Sequence, residues 1–340
     1  MTPYPAPPFR SPYSVAVTLD TEKSRSRDDV RWLTVLEPMV GDLLDRHLAT
    51  SREWFPHQYV PWGRASDFDG PLGGEEWREE QSALAAPVRG ALVLNLLTED
   101  NLPGYHHAFA TTVSADGAWG TWLHRWTAEE DRHSAALRAY LHAARAVDPV
   151  ALERARMRQV STGFRFGDSG VLPGLAYVMV QELATRVAHR NAGRHSGDPV
   201  CEGLMARVAA DENLHMVFYR DLFRAALSIE PGPALEALSR TLRAFRMPGH
   251  GAPDFERLAA DVALGGIFHV GVFHDEVAAP LLRTLKALDM PAAGSRGRRC
   301  QDELGQWLEA LGERARAFDE RRAALLEARA RDGAGLFRAG

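Results

Sequence analysis

The stretch ADENLHMVFY, residues 210–219, has an earlier counterpart in TAEEDRHSAAL, residues 127–137. Each places a glutamate three residues before a histidine: Glu212 with His215, and Glu130 with His133. On an α-helix that spacing stacks two side chains on one face, one turn apart, so each pair can grip one metal ion. A single Glu-x-x-His match arises about once by chance in a chain of this length. Two matches in similar surroundings say more. Trp126, Glu130, His133, Leu137 and Tyr140 share one helical face, and Met205, Val208, Glu212, His215 and Tyr219 share another. Ionisable groups thus interrupt stripes that belong in a core, where carboxylates are costly unless paired, protonated or bound to metal. The alternative is two solvated helix faces, or core histidines each bonded to a carbonyl.

Two more helical patterns carry the same oddity. In VRGALVLNLLTEDNLPGYHHAF, residues 88–109, Leu92, Leu96 and Glu99 share the apolar face. Pro103 cannot donate the hydrogen bond that the Glu99 carbonyl would accept, so a kink or bulge is expected beside that glutamate. In LPGLAYVMVQELATRVAHRNAG, residues 172–193, Leu175, Val178, Glu182 and Thr185 share a face. Four helices therefore each present a glutamate on the buried side, two of them as Glu-x-x-His. This is the ligand set of carboxylate-bridged di-iron or di-manganese bundles, and it predicts an all-α, ferritin-like bundle with additional surrounding helices. Oxygen-rich ligands with one imidazole per ion suit two iron ions, with manganese as a possible substitute, better than structural zinc.

Around this centre the chain divides into an N-terminal arm (1–28, rich in Pro, Ser and charge), the bundle (29–293), and a linker with a C-terminal amphipathic helix (294–340). A helix is expected from Val30 to about Thr50. The aromatic, Pro- and Gly-broken stretch REWFPHQYVPWGRASDFDGPLGG (52–74) follows, of a length often functional in a compact domain. Helical periodicity resumes near Trp77, and the first Glu-x-x-His helix is expected over about 118–147. GFRFGDSG joins it to the next helix. Segments 232–246, 254–290 and 301–332 are helix-like. The Gly- and Arg-rich residues 294–299 read as a linker, and Leu304, Trp307, Leu308, Leu311, Phe318 and Leu325 form the stripe of the last helix. That stripe is expected to pack on the bundle or on a second subunit.

The 340 residues are 45% hydrophobic and 25% charged, which is ordinary globular composition. A net charge of -5 and a pI near 6.2 argue against nucleic acid or an anionic membrane as partner. No apolar run reaches membrane-spanning length, and the start lacks the charged-then-apolar order of a signal peptide, so a cytoplasmic location without membrane insertion is expected. Cys201 and Cys300, far apart, indicate neither a disulfide framework nor a zinc knuckle.

With these residues in view, roughly residues 30–290 resemble the soluble acyl-acyl-carrier-protein desaturases, the stearoyl-carrier-protein desaturase family. LTEDNLPGYH is similar to the family's TEE-x-LP-x-Y, WTAEEDRH to WTAEENRH, ADENLHMVFY to ADE-x-x-H, FRMPGH to a SMP-x-H turn, and VMVQELATRVAHRNAGR to the segment around its third-helix glutamate. The resemblance implies six iron ligands, Glu99, Glu130, His133, Glu182, Glu212 and His215. Glu130 and Glu212 would bridge, Glu99 and His133 would complete one ion, and Glu182 and His215 the other. It further implies proton delivery by Thr185 and an electron path through Trp54, Asp211 and His133. The implied activity is dioxygen-dependent formation of a cis double bond in an acyl chain held by acyl carrier protein, with electrons from a ferredoxin-type donor and a homodimeric assembly.

The chain departs from the family in three places. The lysine-rich carrier-docking helix of plant members here offers Arg46, His47 and Arg52; Leu214 stands where the family usually has arginine; and the span from Glu99 to Glu130 is shorter. Ala108, Phe109 and Met179 are candidates to line an acyl channel. Hydroxylation of a carrier-bound intermediate by the same centre is a competing function. A non-catalytic metal- or carrier-binding role is another, though such a homologue would be expected to have lost ligands.

Overall fold

The computed structural model describes residues 26–164, 170–247, 254–291 and 294–336. The described chain is helical without a β-strand: α1 (Arg27–Thr50), α2 (Ala86–Glu99), α3 (Leu102–Thr112), α4 (Gly117–Ala143), α5 (Pro149–Thr162), α6 (Val171–His195) and α7 (Pro199–Ile229). It continues through α8 (Pro231–Ala244), α9 (Phe255–Leu264), the single turn α10 (Val270–Val272), a π-helical segment (Phe273–Ala278), α11 (Ala279–Leu285) and α12 (Gly294–Leu336). Among these no helix is long and apolar enough to cross a membrane.

The buried apolar residues fall into two clusters rather than one. The first gathers α1, the first half of α4, most of α6 and the second half of α7, with Trp122, Val178 and Phe218 among its members. The second gathers α2, the second half of α4, the end of α6 and the first half of α7, with Leu92, Leu137 and Met205. The layer between them on α4 holds Glu129, Glu130 and His133, and on α7 Asp211, Glu212 and His215, all buried. From this distribution α4 and α6 run from the first cluster to the second, and α2 and α7 run the other way.

Local chemistry sets the helix ends that matter. Ser26 Oγ accepts from the Asp29 amide at 3.0 Å and starts α1. The expected N-terminal arm is therefore already helical at Arg27, while residues 1–25 lie outside the described set. α2 does not begin near Trp77 but at Ala86, because Pro87 fits only in a first helical turn. It ends at Glu99, and Asp100 and Asn101 form a break before α3, which carries Pro103 in its first turn. The kink expected beside Glu99 is thus a complete interruption. α6 and α7 are joined by a tight turn in which Gly197 adopts φ 66° and the Asp198 side chain caps the Val200 amide at 3.0 Å. The two helices then pack along most of their length, with Gly193 against Met205 and Glu202.

Residues 52–82 contain only short 3-10 turns. They are pinned from within by Arg145, whose guanidinium donates to the carbonyls of Asp67 (3.1 Å) and Glu75 (3.0 Å) and to Gln81 Oε1 (3.2 Å) while lying 4.2 Å over the Phe68 ring. This fixes the segment that delivers Trp54.

At the C-terminus the residues read as a linker, 294–299, are instead the first turns of α12. Leu304 and Leu311 are buried and Trp307, Leu308 and Phe318 half-buried, so the stripe packs on this chain's own helices, α8 and α10 among them. Leu325 lies beyond that contact and is 51% exposed. The GFRFGDSG connection and the FRMPGH turn fall in part outside the described residues.

A Cβ at Gly193 would stand 2.7 Å from Met205 Cβ and 3.2 Å from Glu202 Cα. Gly193→Val should lower the free energy of unfolding by about 1–3 kcal/mol, read by denaturant titration, because overpacking exceeds any gain in helix propensity.

Candidate metal centre

α2, α4, α6 and α7 bring the six acidic and histidine residues of the expected set into one layer, all 5% exposed or less. Ligand atoms of Glu99, Glu130, His133 and Glu212 lie within 4.8 Å of one another, and so do those of Glu130, Glu182, Glu212 and His215. Glu130 and Glu212 belong to both groups. His133 Nδ1 is 3.3 Å from Glu130 Oε2 and 3.4 Å from Glu212 Oε1, and His215 Nδ1 is 2.8 Å from Glu130 Oε1 and 3.5 Å from Glu182 Oε2. Close as they are, both Nδ1 atoms, Glu130 Oε1 and Glu182 Oε2 are buried without a hydrogen-bond partner. Lone pairs that converge without hydrogen-bonding geometry are what a coordinated cation requires, so the residues present fit a pair of metal ions.

Charge leads to the same place. Burial pushes Glu182 well above the usual carboxyl range, with Glu212 and Glu130 adding to it, and raises Glu130 for the same reasons. Burial also acts on Glu212 and Glu99, but the facing imidazoles of His133 and His189 outweigh it and hold both below the usual range. Four ligand carboxylates in an apolar layer call for about four positive charges, the charge of two divalent cations.

The next set of contacts orients the imidazoles. Each Nδ1 faces the carboxylates, so with Nδ1 on a metal each Nε2 would carry the proton and point it at an acid on the outward side. His133 Nε2 is 3.5 Å from Asp211 Oδ2, which also accepts from Trp54 Nε1 at 2.6 Å and Arg132 at 3.3 Å. Trp54 and His133 lie nearly parallel with ring centroids 6.4 Å apart. His215 Nε2 is 2.9 Å from Glu129 Oε2. Thr185 Oγ1 is 3.0 Å from Glu212 Oε2, and Trp126 Nε1 donates to Glu182 Oε1 at 3.1 Å. The structure therefore places Trp54, Asp211 and Thr185 against the ligand set.

Two neighbours were not among the expected residues. His189 Nε2 is 2.8 Å from Glu99 Oε1, and burial opposes its charged form while Glu212 and Glu99 outweigh that and push it up to about 9. It lies two helical turns after Glu182, a spacing visible in the sequence. Glu129 precedes Glu130 as Asp211 precedes Glu212, so the shared pattern is acid-Glu-x-x-His.

One expectation needs correction. His47 is 4% exposed and bonded to Glu129, so it is not part of a carrier-docking surface. Ala108, Phe109 and Met179 are buried, and an apolar cavity of about 80 Å³ is lined by other residues, Ala91, Thr98, Ala188, Met247, Phe255 and Phe268 among them. Thr98 and Ala188 each precede a residue of the polar layer, Glu99 and His189.

The sequence profile of the fatty acid desaturase family matches residues 28–332. The protein named acyl-[acyl-carrier-protein] desaturase DesA1 of Mycobacterium tuberculosis is 41% identical over 313 residues, covering 90% of this chain and 92% of the relative. The chain belongs to the acyl-acyl-carrier-protein desaturase family. Within it, stearoyl-[acyl-carrier-protein] 9-desaturase 6 of Arabidopsis thaliana is 32% identical over 211 residues, 58% of this chain and 54% of the plant protein. The X-ray structure of the desaturase DesA2 of M. tuberculosis superposes with a TM-score of 0.65 at 29% identity, over 77% of this chain and 97% of that one. The ferritin-like helical bundle is thus the fold of the family, and the chain is an oxidoreductase by membership.

The family member's shared carboxylates make a graded test. Glu212→Ala removes a group common to both ligand sets and should abolish binding of both iron ions, whereas Glu99→Ala should spare one; iron per chain after loading and desalting measures this. Loading should also release protons. Burial opposes the charged rings of His133 and His215, but Glu130 and other facing carboxylates outweigh it and raise both. Protons on these raised groups, Glu130 and Glu182 included, compete with a cation, so affinity rises with pH and a weakly buffered solution acidifies on metal addition. Glu99 and Glu212, already charged, contribute no protons.

Proposed function

We propose that the protein desaturates an acyl chain carried as an acyl-carrier-protein thioester, using dioxygen, a pair of iron ions and electrons from a ferredoxin-type protein. The observation that carries this reading is the pair of overlapping ligand groups, sharing Glu130 and Glu212, inside an apolar bundle. The names of the relatives supply the substrate class.

Glu99, Glu130, His133, Glu182, Glu212 and His215 would hold the two ions. The ions would supply redox chemistry with dioxygen, able to remove hydrogens from neighbouring methylenes that no side-chain acid or base can deprotonate. The chain's own residues do the rest. The cavity lined by Thr98 and Ala188, whose sequence neighbours Glu99 and His189 lie in the polar layer, offers an apolar wall for an acyl chain. The two apolar clusters keep bulk water from the layer between them. Thr185, with a hydroxyl on Glu212, is placed to hold a proton at Oε2.

Trp54 lies on the outward side of His133, under a loop whose Phe55 and Trp62 are 43% and 56% exposed, and serves as the electron path from a docked donor. Arg132 and Arg207 beside it are paired with Asp211 and keep that end of the path fixed. Dimer formation, implied by the family, is measured by sedimentation.

Iron-loaded protein given reduced ferredoxin, oxygen and acyl-carrier thioesters of graded length should yield a product lighter by two hydrogens in mass spectrometry. A product heavier by one oxygen would instead establish hydroxylation. Ala259→Phe, which fills the cavity from its α9 side, should leave iron content unchanged and lower kcat/KM for the preferred chain about tenfold or more.

A further inference from the structure

The two halves of the centre are built alike up to one point. In each Glu-x-x-His motif the acid before the ligand glutamate reaches across to the other helix's histidine: Asp211 of α7 to His133 of α4, and Glu129 of α4 to His215 of α7. The residue before the histidine then differs. In the first motif it is Arg132, which donates to Asp211 at 3.3 Å; in the second it is Leu214, which has no charge to offer Glu129. Arg132 lies 3.9 Å from Glu129 Oε1.

Glu129 is anchored by other means. His47 of α1 brings Nε2 to 2.8 Å from Oε2, the same oxygen that His215 Nε2 meets at 2.9 Å. Arg125 Nε donates to Oε1 at 2.6 Å. His47, Glu129 and His215 could also be read as ligands of a further ion. The tautomer argues otherwise, since a ring ligating through Nδ1 has its proton on Nε2 and donates to Glu129 rather than binding metal there. His47 packs edge-on against Trp122 at 5.0 Å and stacks with His215 at 5.8 Å between ring centroids, so the group is buried and tightly bounded.

We propose that Glu129, fixed by His47 and Arg125 in place of an arginine at position 214, is the positioning carboxylate for His215, and that the ion held by Glu182 and His215 depends on it. The first ion's histidine, by contrast, rests on Asp211, which Trp54, Arg132 and Arg207 all hold. The two ions are therefore unequally supported. This rests on the two-ion reading of the centre and on no aspect of substrate or turnover.

The test measures iron without turnover. The wild-type protein should load two ions per chain; failure there would sink the two-ion reading itself and leave no second ion to support. Given two ions, Glu129→Leu should retain one and Glu129→Gln, whose amide oxygen still accepts from His215, should retain both but release one about 10–100-fold faster to a chelator. Mössbauer spectra of iron-57-loaded Glu129→Gln should show one of the two iron signals altered. Placed on His215→Ala, Glu129→Leu should cause no further loss, whereas on His133→Ala it should remove the remaining ion. Wild-type retention and spectra in Glu129→Gln with full iron in Glu129→Leu would overturn the proposal, as would equal acceleration for both ions or further loss on the His215→Ala background. If Glu129→Leu fails to fold, shown by its circular dichroism, the release rates and spectra of Glu129→Gln decide the matter alone.

Discussion

Four carboxylates and two imidazoles lie in the middle of a helical bundle with no solvent to stabilise their charge, and much of the architecture follows from that. An isolated buried ion costs several kcal/mol even after the surroundings relax. The groups are tolerable only as an array, in which each carboxylate faces an imidazole or a cation. This is why the core is divided: the layer of Glu99, Glu130, His133, Glu182, Glu212 and His215 separates one apolar cluster from the other. The clusters in turn make the layer dry, which strengthens every interaction within it.

The array is supported in depth. Asp211 and Glu129 each receive a histidine from the inside and arginines from the outside, so charge decreases stepwise from the ligands to the surface. A carboxylate between an imidazole and a guanidinium stays ionised: burial opposes its charge, but the facing donors outweigh burial and hold Glu129 and Asp211 below the usual range. An ionised partner at Nε2 in turn makes the opposite nitrogen a better ligand. The irregular segment 52–82 belongs to this support. Without Arg145 gathering its carbonyls, the loop would carry unsatisfied backbone groups, and Trp54 would have no fixed place above Asp211.

The helices and their buried glutamates were legible because periodicity and cost point the same way: a carboxylate on an apolar stripe is conspicuous. The duplicated acid-Glu-x-x-His was legible too, yet Glu129 was passed over because adjacent residues on a helix point about 100° apart, and only packing shows which neighbouring helix the second carboxylate reaches. His47 was read as surface because it stands beside Arg46 among the basic residues of the helix end, although it falls one turn after Leu43 and Leu44 on the buried stripe of α1. The run 294–299 was misread because Gly and Arg suggest a linker by composition, whereas tertiary contacts of Cys300 and Leu304 carry the helix through it. The cavity lining could not be read at all. It joins α2, α6 and α9 with residues near Met247 and Phe268, an arrangement set by long-range packing.

The break between α2 and α3 ties these levels together. Pro103 removes the donor that would extend α2, so the helix stops at the residue that it adds to the candidate metal layer. Asp100, the C-cap of α2, pairs with Arg138 of α4 at 2.8 Å and with Arg156 of α5, which fixes the end of α2 against two other helices. Glu99 is then held by His189 rather than by its own helix alone. Glu99 and Asp100 thus face different partners from neighbouring positions, as Glu129 and Glu130 do on α4: one carboxylate joins the buried centre and the other ties α2 to α4 and α5.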